Sequence, residues 1–244
     1  MTHAATDNPR APLKSFNWYR AAWLIGLTAV AVALLLPFDG VISHIARGVP
    51  LHGDVRRTLE TLQQWGDFSS LILVTVFMGL LDDGRRHRLW DLWAAMGLAF
   101  LGCVLIMSLL GRPRPEAAND PWGFVLPWQT YHFQDGMVTH AWDLFRHANS
   151  RLWSMPSRHT MAAVVLSVFL TIVYPRLKPL AIIMVIVVGV TRVLLGAHYP
   201  TDVLVGALLG YLVARPLVPS QAASGLMVKR RKHLRPDLKV GPAD

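Results

Sequence analysis

Six apolar runs, at about 20–37, 67–81, 89–110, 157–174, 179–195 and 201–217, constrain this chain more than any other feature. Their charged residues fall near their ends. An α-helix needs about 20 apolar residues to cross a hydrocarbon core of about 30 Å, and it satisfies all its backbone groups internally while doing so. The second and sixth runs are short by that measure, so their helices must borrow flanking residues or sit in a thin region. A soluble domain carries roughly a quarter charged residues; this one carries 16%, with mean hydropathy +0.37. The expected fold is all-α: a polytopic membrane protein of six transmembrane helices. Leu51, Val55, Leu59 and Leu62 recur at helical spacing and predict a short interfacial helix besides.

Three parts follow: an N-terminal tail over 1–19, a six-span domain over 20–217, and a basic tail over 218–244 that reads as unstructured. The first run lacks a small-residue cleavage pattern after it and reads as a retained anchor. Lys and Arg concentrate in the tails and around Arg85, Arg86, Arg88, Arg176, Lys178 and Arg215, which predicts both termini inside. The net charge of +9 is thereby explained without nucleic acid. Cys103 lies alone in an apolar run and reads as packing. Gly206 and Gly210 give the last span a small face for close helix packing. The long connection over 111–152 holds Trp122, Trp128 and Trp142, with Trp153 just after it, and reads as lying at headgroup level.

Chemistry concentrates in three stretches, each where an apolar run meets a polar segment on the predicted outer side. The first is Gly111-Arg112-Pro113-Arg114-Pro115. Two guanidiniums on a proline-stiffened backbone suit the several oxygens of a phosphate. The second is Pro156-Ser157-Arg158-His159, where Ser157 can cap a helix whose free N–H groups favour an anion, and His159 can donate a proton to a leaving oxygen. The third runs from Thr191-Arg192 to His198 and Asp202. Four residues apart on a helical turn, the Asp202 carboxylate can bond one imidazole nitrogen and aim the other as nucleophile or base. Each stretch alone is equally a helix boundary with polar caps. Together they supply nucleophile, orienter, acid and cationic clamp, the set that phosphoryl transfer uses without a metal. His132, His140 and His147 match no compact metal-ligand spacing and read as interfacial. Arg146 and Arg151 could extend the cationic surface, while Glu116, Asp120, Asp135 and Asp143 read as ordinary loop acids.

The order Arg-Pro, Pro-Ser-x-His, Arg-x5-His-x3-Asp resembles the type 2 phosphatidic-acid phosphatase superfamily over roughly residues 65–217. That superfamily includes bacterial lipid phosphatases, glucose-6-phosphatase and the vanadium haloperoxidases. The resemblance implies His198 as the nucleophile forming a phosphohistidine, Asp202 as its orienter and His159 as the acid. It implies Arg114, Ser157 and Arg192 as holders of the phosphoryl oxygens, with no metal and no cofactor. Three positions depart from the pattern: Met107 stands for the usual Lys, Arg158 for the usual Gly, and Thr191 for the usual Ser. Arg112 or Arg158 is expected to replace the missing cation.

The resulting expectation is a lipid phosphate or diphosphate phosphatase of the inner (plasma) membrane, its site facing the periplasm or exterior. Undecaprenyl diphosphate, phosphatidic acid, phosphatidylglycerol phosphate and a phosphorylated lipid A are the candidate substrates. The rivals are a lipid phosphotransferase, a haloperoxidase, and a catalytically inactive relative that binds lipid headgroups.

Overall fold

The computed structural model describes residues 16–118, 123–133, 135–140 and 151–234, with side chains to residue 228. Among the residues singled out above, Asp120, Trp122, Trp142, Asp143, Arg146 and His147 lie outside these.

Each apolar run becomes a helix, and all but the helix of the third run start at a polar cap or a proline. Asn17 accepts from the N–H of Arg20 at 3.0 Å and opens α1 (Trp18–Leu35), which passes through a 3-10 turn into α2 (Asp39–Gly48). The expected short helix is α3 (Gly53–Leu62), and none of its residues is buried. It meets α4 (Phe68–Leu81) at an elbow over residues 63–67, bent by 63°. Then come α5 (Leu89–Leu109) and a small hairpin of β1 (Thr130–His132) and β2 (Val138–His140), with Tyr131 opposite Thr139. The chain closes with α6 (Arg158–Val173), α7 (Lys178–Leu194), α8 (Pro200–Ser220) and α9 (Ala222–Leu234). Pro200 opens α8 where a missing N–H costs nothing.

Three expectations change. The fold is mainly helical but carries the hairpin. Four helices are long and apolar enough to cross a membrane: Trp18–Gly48, Arg86–Leu109, Pro175–Leu194 and Pro200–Val228. The bent α3–α4 pair makes a fifth candidate, and Arg158–Val173 is a shorter apolar helix. The short elements are thus the second and fourth runs; the sixth is long, because Pro216 and Pro219 do not stop α8. Its stop is Gln221, in the left-handed conformation at φ 53°. The basic tail is also more ordered than its composition suggests. Ser224 donates from its N–H and hydroxyl to Asp91 at 3.0 and 2.8 Å, docking α9 onto α5, and Arg88 holds the same carboxylate at 2.9 Å.

The central helix is α6, ten of whose sixteen residues are buried, packed mainly against α7 and α8. Around it the bundle exposes Leu27, Leu34, Leu80, Leu81 and Ile186, an apolar surface suited to lipid. Where α8 crosses α6, a Cβ on Gly206 would stand 2.5 Å from the carbonyl oxygen of Ser157, and one on Gly210 2.5 Å from that of Met161. The small face therefore sets how closely the third motif's helix approaches the second motif. One end of the bundle joins Asp82 to Tyr174 and Arg88 to Val218; the other gathers all three motifs.

Gly206→Ala is expected to push α8 away from Ser157 and lower stability by about 1–3 kcal/mol. Gly79→Ala, whose Cβ meets nothing within 4 Å, is expected to leave the unfolding temperature in detergent unchanged or raised.

Candidate active site

Backbone hydrogen bonds stitch the three motifs together. The N–H groups of Arg112 and Arg114 donate to the carbonyls of Leu152 and Arg151 at 2.7 and 2.8 Å, and Ser154 returns one to Arg112 at 3.0 Å. The first motif thereby runs alongside the chain entering α6. Ser157 then donates its N–H to the carbonyl of Asp202 at 3.0 Å, joining the second motif to the third. Between α7 and α8, Gly196 at φ +70° turns the chain, so that Ala197 and His198 both donate back to the carbonyl of Arg192 at 3.1 and 3.2 Å.

His198 is 2% exposed. Its Nδ1 lies 2.7 Å from the carbonyl oxygen of Ser154 and 3.8 Å from Asp202 Oδ2. A carbonyl only accepts, so Nδ1 carries the proton and Nε2 holds the lone pair. The expected direct bond to Asp202 is thus replaced by a shared arrangement. Ser154 takes the imidazole proton on its carbonyl and donates its hydroxyl to Asp202 Oδ2 at 2.5 Å. The same Oδ2 accepts the N–H of Tyr199 at 2.9 Å, capping α8.

Arg112 is not in the phosphate clamp. It is fully buried, with one Nη on Asp202 at 2.6 Å and the other on Asp39 at 2.8 Å, and its guanidinium lies 4.1 Å from the centre of the Tyr199 ring. Thr201 donates its hydroxyl to Asp39 as well. Met107, at the position of the missing Lys, is fully buried in the apolar core. Arg158 is the extra cation that stays with the site: after burial, its charge is the main influence depressing the Arg114 guanidinium. The Nε atoms of Arg114 and Arg192 are buried without a hydrogen-bond partner among the described residues. Charged donors left so are poised for an anion. Ser157 is buried as the cap of α6, accepting from Thr160 at 3.0 Å, and keeps its own hydroxyl hydrogen. His159, in the first turn, stands with Nε2 3.5 Å from Asp67 Oδ2.

Beside His159 opens a cleft of about 430 Å³ between α4, α5 and α6, walled by Phe68, Leu71, Trp93, Met96 and Phe100. In the connection between α5 and α6, Arg151 is held by Asp135 at 2.6 Å, and Trp128 is exposed. No cluster of three metal-ligating side chains occurs among the described residues. Sequence reasoning missed Asp39, Gln63, Asp67 and Ser154; none belongs to the three motifs, although Ser154 stands two residues before the second.

Two outcomes follow. Arg112→Met strands two buried carboxylates and is expected to cost about 3–5 kcal/mol, read as a lower unfolding temperature in detergent. Burial holds the imidazolium of His198 down, to about 4; Arg192 and Arg114 push the same way and Asp202 pulls back. The neutral ring with its free lone pair is therefore resident from near that pH upward. The acid limb of kcat is expected well below the ~6.5 of a free imidazole; a limb at 6.5 or above would show that burial does not control this group.

The sequence profile of the PAP2 superfamily matches residues 88–225, more than half the chain and all three motifs. A lipid A 1-phosphatase of Rhizobium johnstonii is 29% identical over 209 residues, covering 79% of this chain and 76% of that one. Its counterpart in Rhizobium etli is 28% identical over 227 residues, covering 86% and 88%. Among solved structures, Aquifex aeolicus LpxE superposes with a TM-score of 0.52 at 17% identity, covering 73% of this chain and 93% of that one. The first transmembrane PAP2-type phosphatidylglycerolphosphate phosphatase from Bacillus subtilis also gives 0.52, at 19% identity, covering 86% and 97%. With the motifs assembled at one end of an apolar helical bundle, the chain belongs to the PAP2 superfamily and is a membrane phosphatase of that type.

Proposed function

We propose that this protein hydrolyses a lipid phosphate at the outer leaflet through a phosphohistidine on His198. The observation that carries the reading is the 2.7 Å contact of His198 Nδ1 with the Ser154 carbonyl: it commits Nδ1 as donor and leaves Nε2 unprotonated, near two guanidiniums, those of Arg114 and Arg192, whose Nε groups are buried without a partner among the described residues. Nε2 attacks phosphorus and forms the N–P bond. The P–O bond to the leaving group breaks, its electron pair stays on oxygen, and His159 supplies the proton. Water then attacks phosphorus, His159 takes its proton back, and the N–P bond breaks to restore His198. Arg114, Arg158, Arg192 and Ser157 hold the phosphoryl oxygens as charge builds on them.

A lipid is the substrate class because the cleft at His159 is apolar on its walls, so chains can lie there while the phosphate reaches the cations. The basic residues at the far end of the bundle support the outward orientation of the site. The Rhizobium relatives make a lipid A 1-phosphate the first substrate to try, with phosphatidylglycerol phosphate second.

Phosphate release from these lipids in detergent is expected to survive EDTA and to vanish in His198→Ala. A rapid quench of wild type with labelled lipid into alkaline detergent is expected to trap a base-stable, acid-labile phosphoprotein. Loss of activity to EDTA, or full activity in the mutant, would refute the mechanism.

A further inference from the structure

The elbow between α3 and α4 lies outside the stretch matched by the family profile, and it is pinned to the site at four points. Gln63 accepts from Arg192 Nη1 at 3.0 Å. Trp65 donates its indole N–H to Ser167 Oγ on α6 at 3.0 Å. Gly66 lies against the backbone of His159, where any Cβ would collide with the His159 carbonyl oxygen. Asp67 then divides its carboxylate: Oδ1 accepts the N–H of Ser69 at 3.2 Å and caps α4, while Oδ2 stands 3.5 Å from His159 Nε2.

That division fixes the carboxylate's direction. Rotating Asp67 away from His159 would uncap α4, and the glycine contact leaves the corner no room to slide along α6. The other charged groups acting on His159 come from elsewhere: Arg158 on its own helix, Arg192 on α7, and His198 in the turn before α8. All three are cations or can become so. An imidazole that must hand a proton to a leaving oxygen among such neighbours needs a carboxylate behind it.

We propose that Asp67 is the positioning residue of His159, fixing the ring and its proton for transfer to the leaving oxygen. The proposal rests on His159 being the acid, as argued above. It makes the elbow a working part of the site, with Nδ1 of His159 the nitrogen left for the substrate.

Leaving-group dependence tests this, because an acid matters for an alkoxide and little for an aryl oxide that departs without a proton. The probes are a short-chain phosphatidic acid and p-nitrophenyl phosphate, assayed in detergent on the full chain. Asp67→Asn keeps an oxygen for the Ser69 cap. It is expected to lower kcat on phosphatidic acid about ten- to hundred-fold more than on the aryl ester, within the range that acid catalysis supplies. Asp67→Glu is expected to recover part of the difference. His159→Gln serves as reference and is expected to show the same selectivity, larger. Equal losses on both substrates in Asp67→Asn, with selective loss in His159→Gln, would overturn the role of Asp67 and leave the acid assignment standing. Equal losses in His159→Gln would overturn the acid assignment, and the role of Asp67 with it.

Discussion

Asp39, Arg112 and Asp202 meet in the protein interior, and the geometry of the site hangs on that meeting. Each comes from a different part of the chain: the start of α2, the segment after α5, and the first turn of α8. Two carboxylates share one guanidinium, so the group keeps a deficit of positive charge where solvation cannot supply it. The N–H of Thr201, at the amino end of α8, offsets part of this. In the mechanism proposed above, the remainder is met when His198 becomes positive on attacking phosphorus. A buried cluster short of one positive charge at rest is suited to the state that follows, and this assigns Arg112 a reason to be buried rather than to face the substrate.

On the other side of His198 the balance reverses. Arg114, Arg158 and Arg192 crowd each other in a partly buried space, and the Nε groups of Arg114 and Arg192 have no partner among the described residues. Their mutual repulsion is relieved only by an anion. The imidazole therefore sits between a region deficient in positive charge and one with an excess. A phosphoryl group arriving at Nε2 settles both. Met107, where the family pattern has Lys, is instead part of the apolar core.

The helices and motifs were legible because each rests on a repeated or ordered pattern. Apolar runs of helical length mark the bundle, and three spaced motifs mark His159, Arg192, His198 and Asp202. What stayed hidden has no period. Ser154 acts through a backbone carbonyl, which any residue type could offer. Asp39 looks like an ordinary helix-start acid, and Asp67 like the cap that it also is. Arg112 and Arg114 look alike in sequence and separate only through what surrounds them: Arg112 meets two carboxylates, whereas Arg114 stands beside the charge of Arg158. The docked α9 was hidden because its lysines and arginines outweigh the single serine that anchors it.

The helix that carries His159 is too short for the bilayer. Sixteen residues at 1.5 Å each span about 24 Å, against a hydrocarbon thickness of about 30 Å. Longer helices surround α6 and hide the shortfall from lipid, so its ends need not reach either boundary. With the bundle set in a membrane, a site built on its first turn would lie in a recess, lower than the headgroups around it. A phosphate that reaches it must leave the plane of its neighbours and give up water on the way. On the proposed reading, depth alone would then favour headgroups small or extended enough to descend.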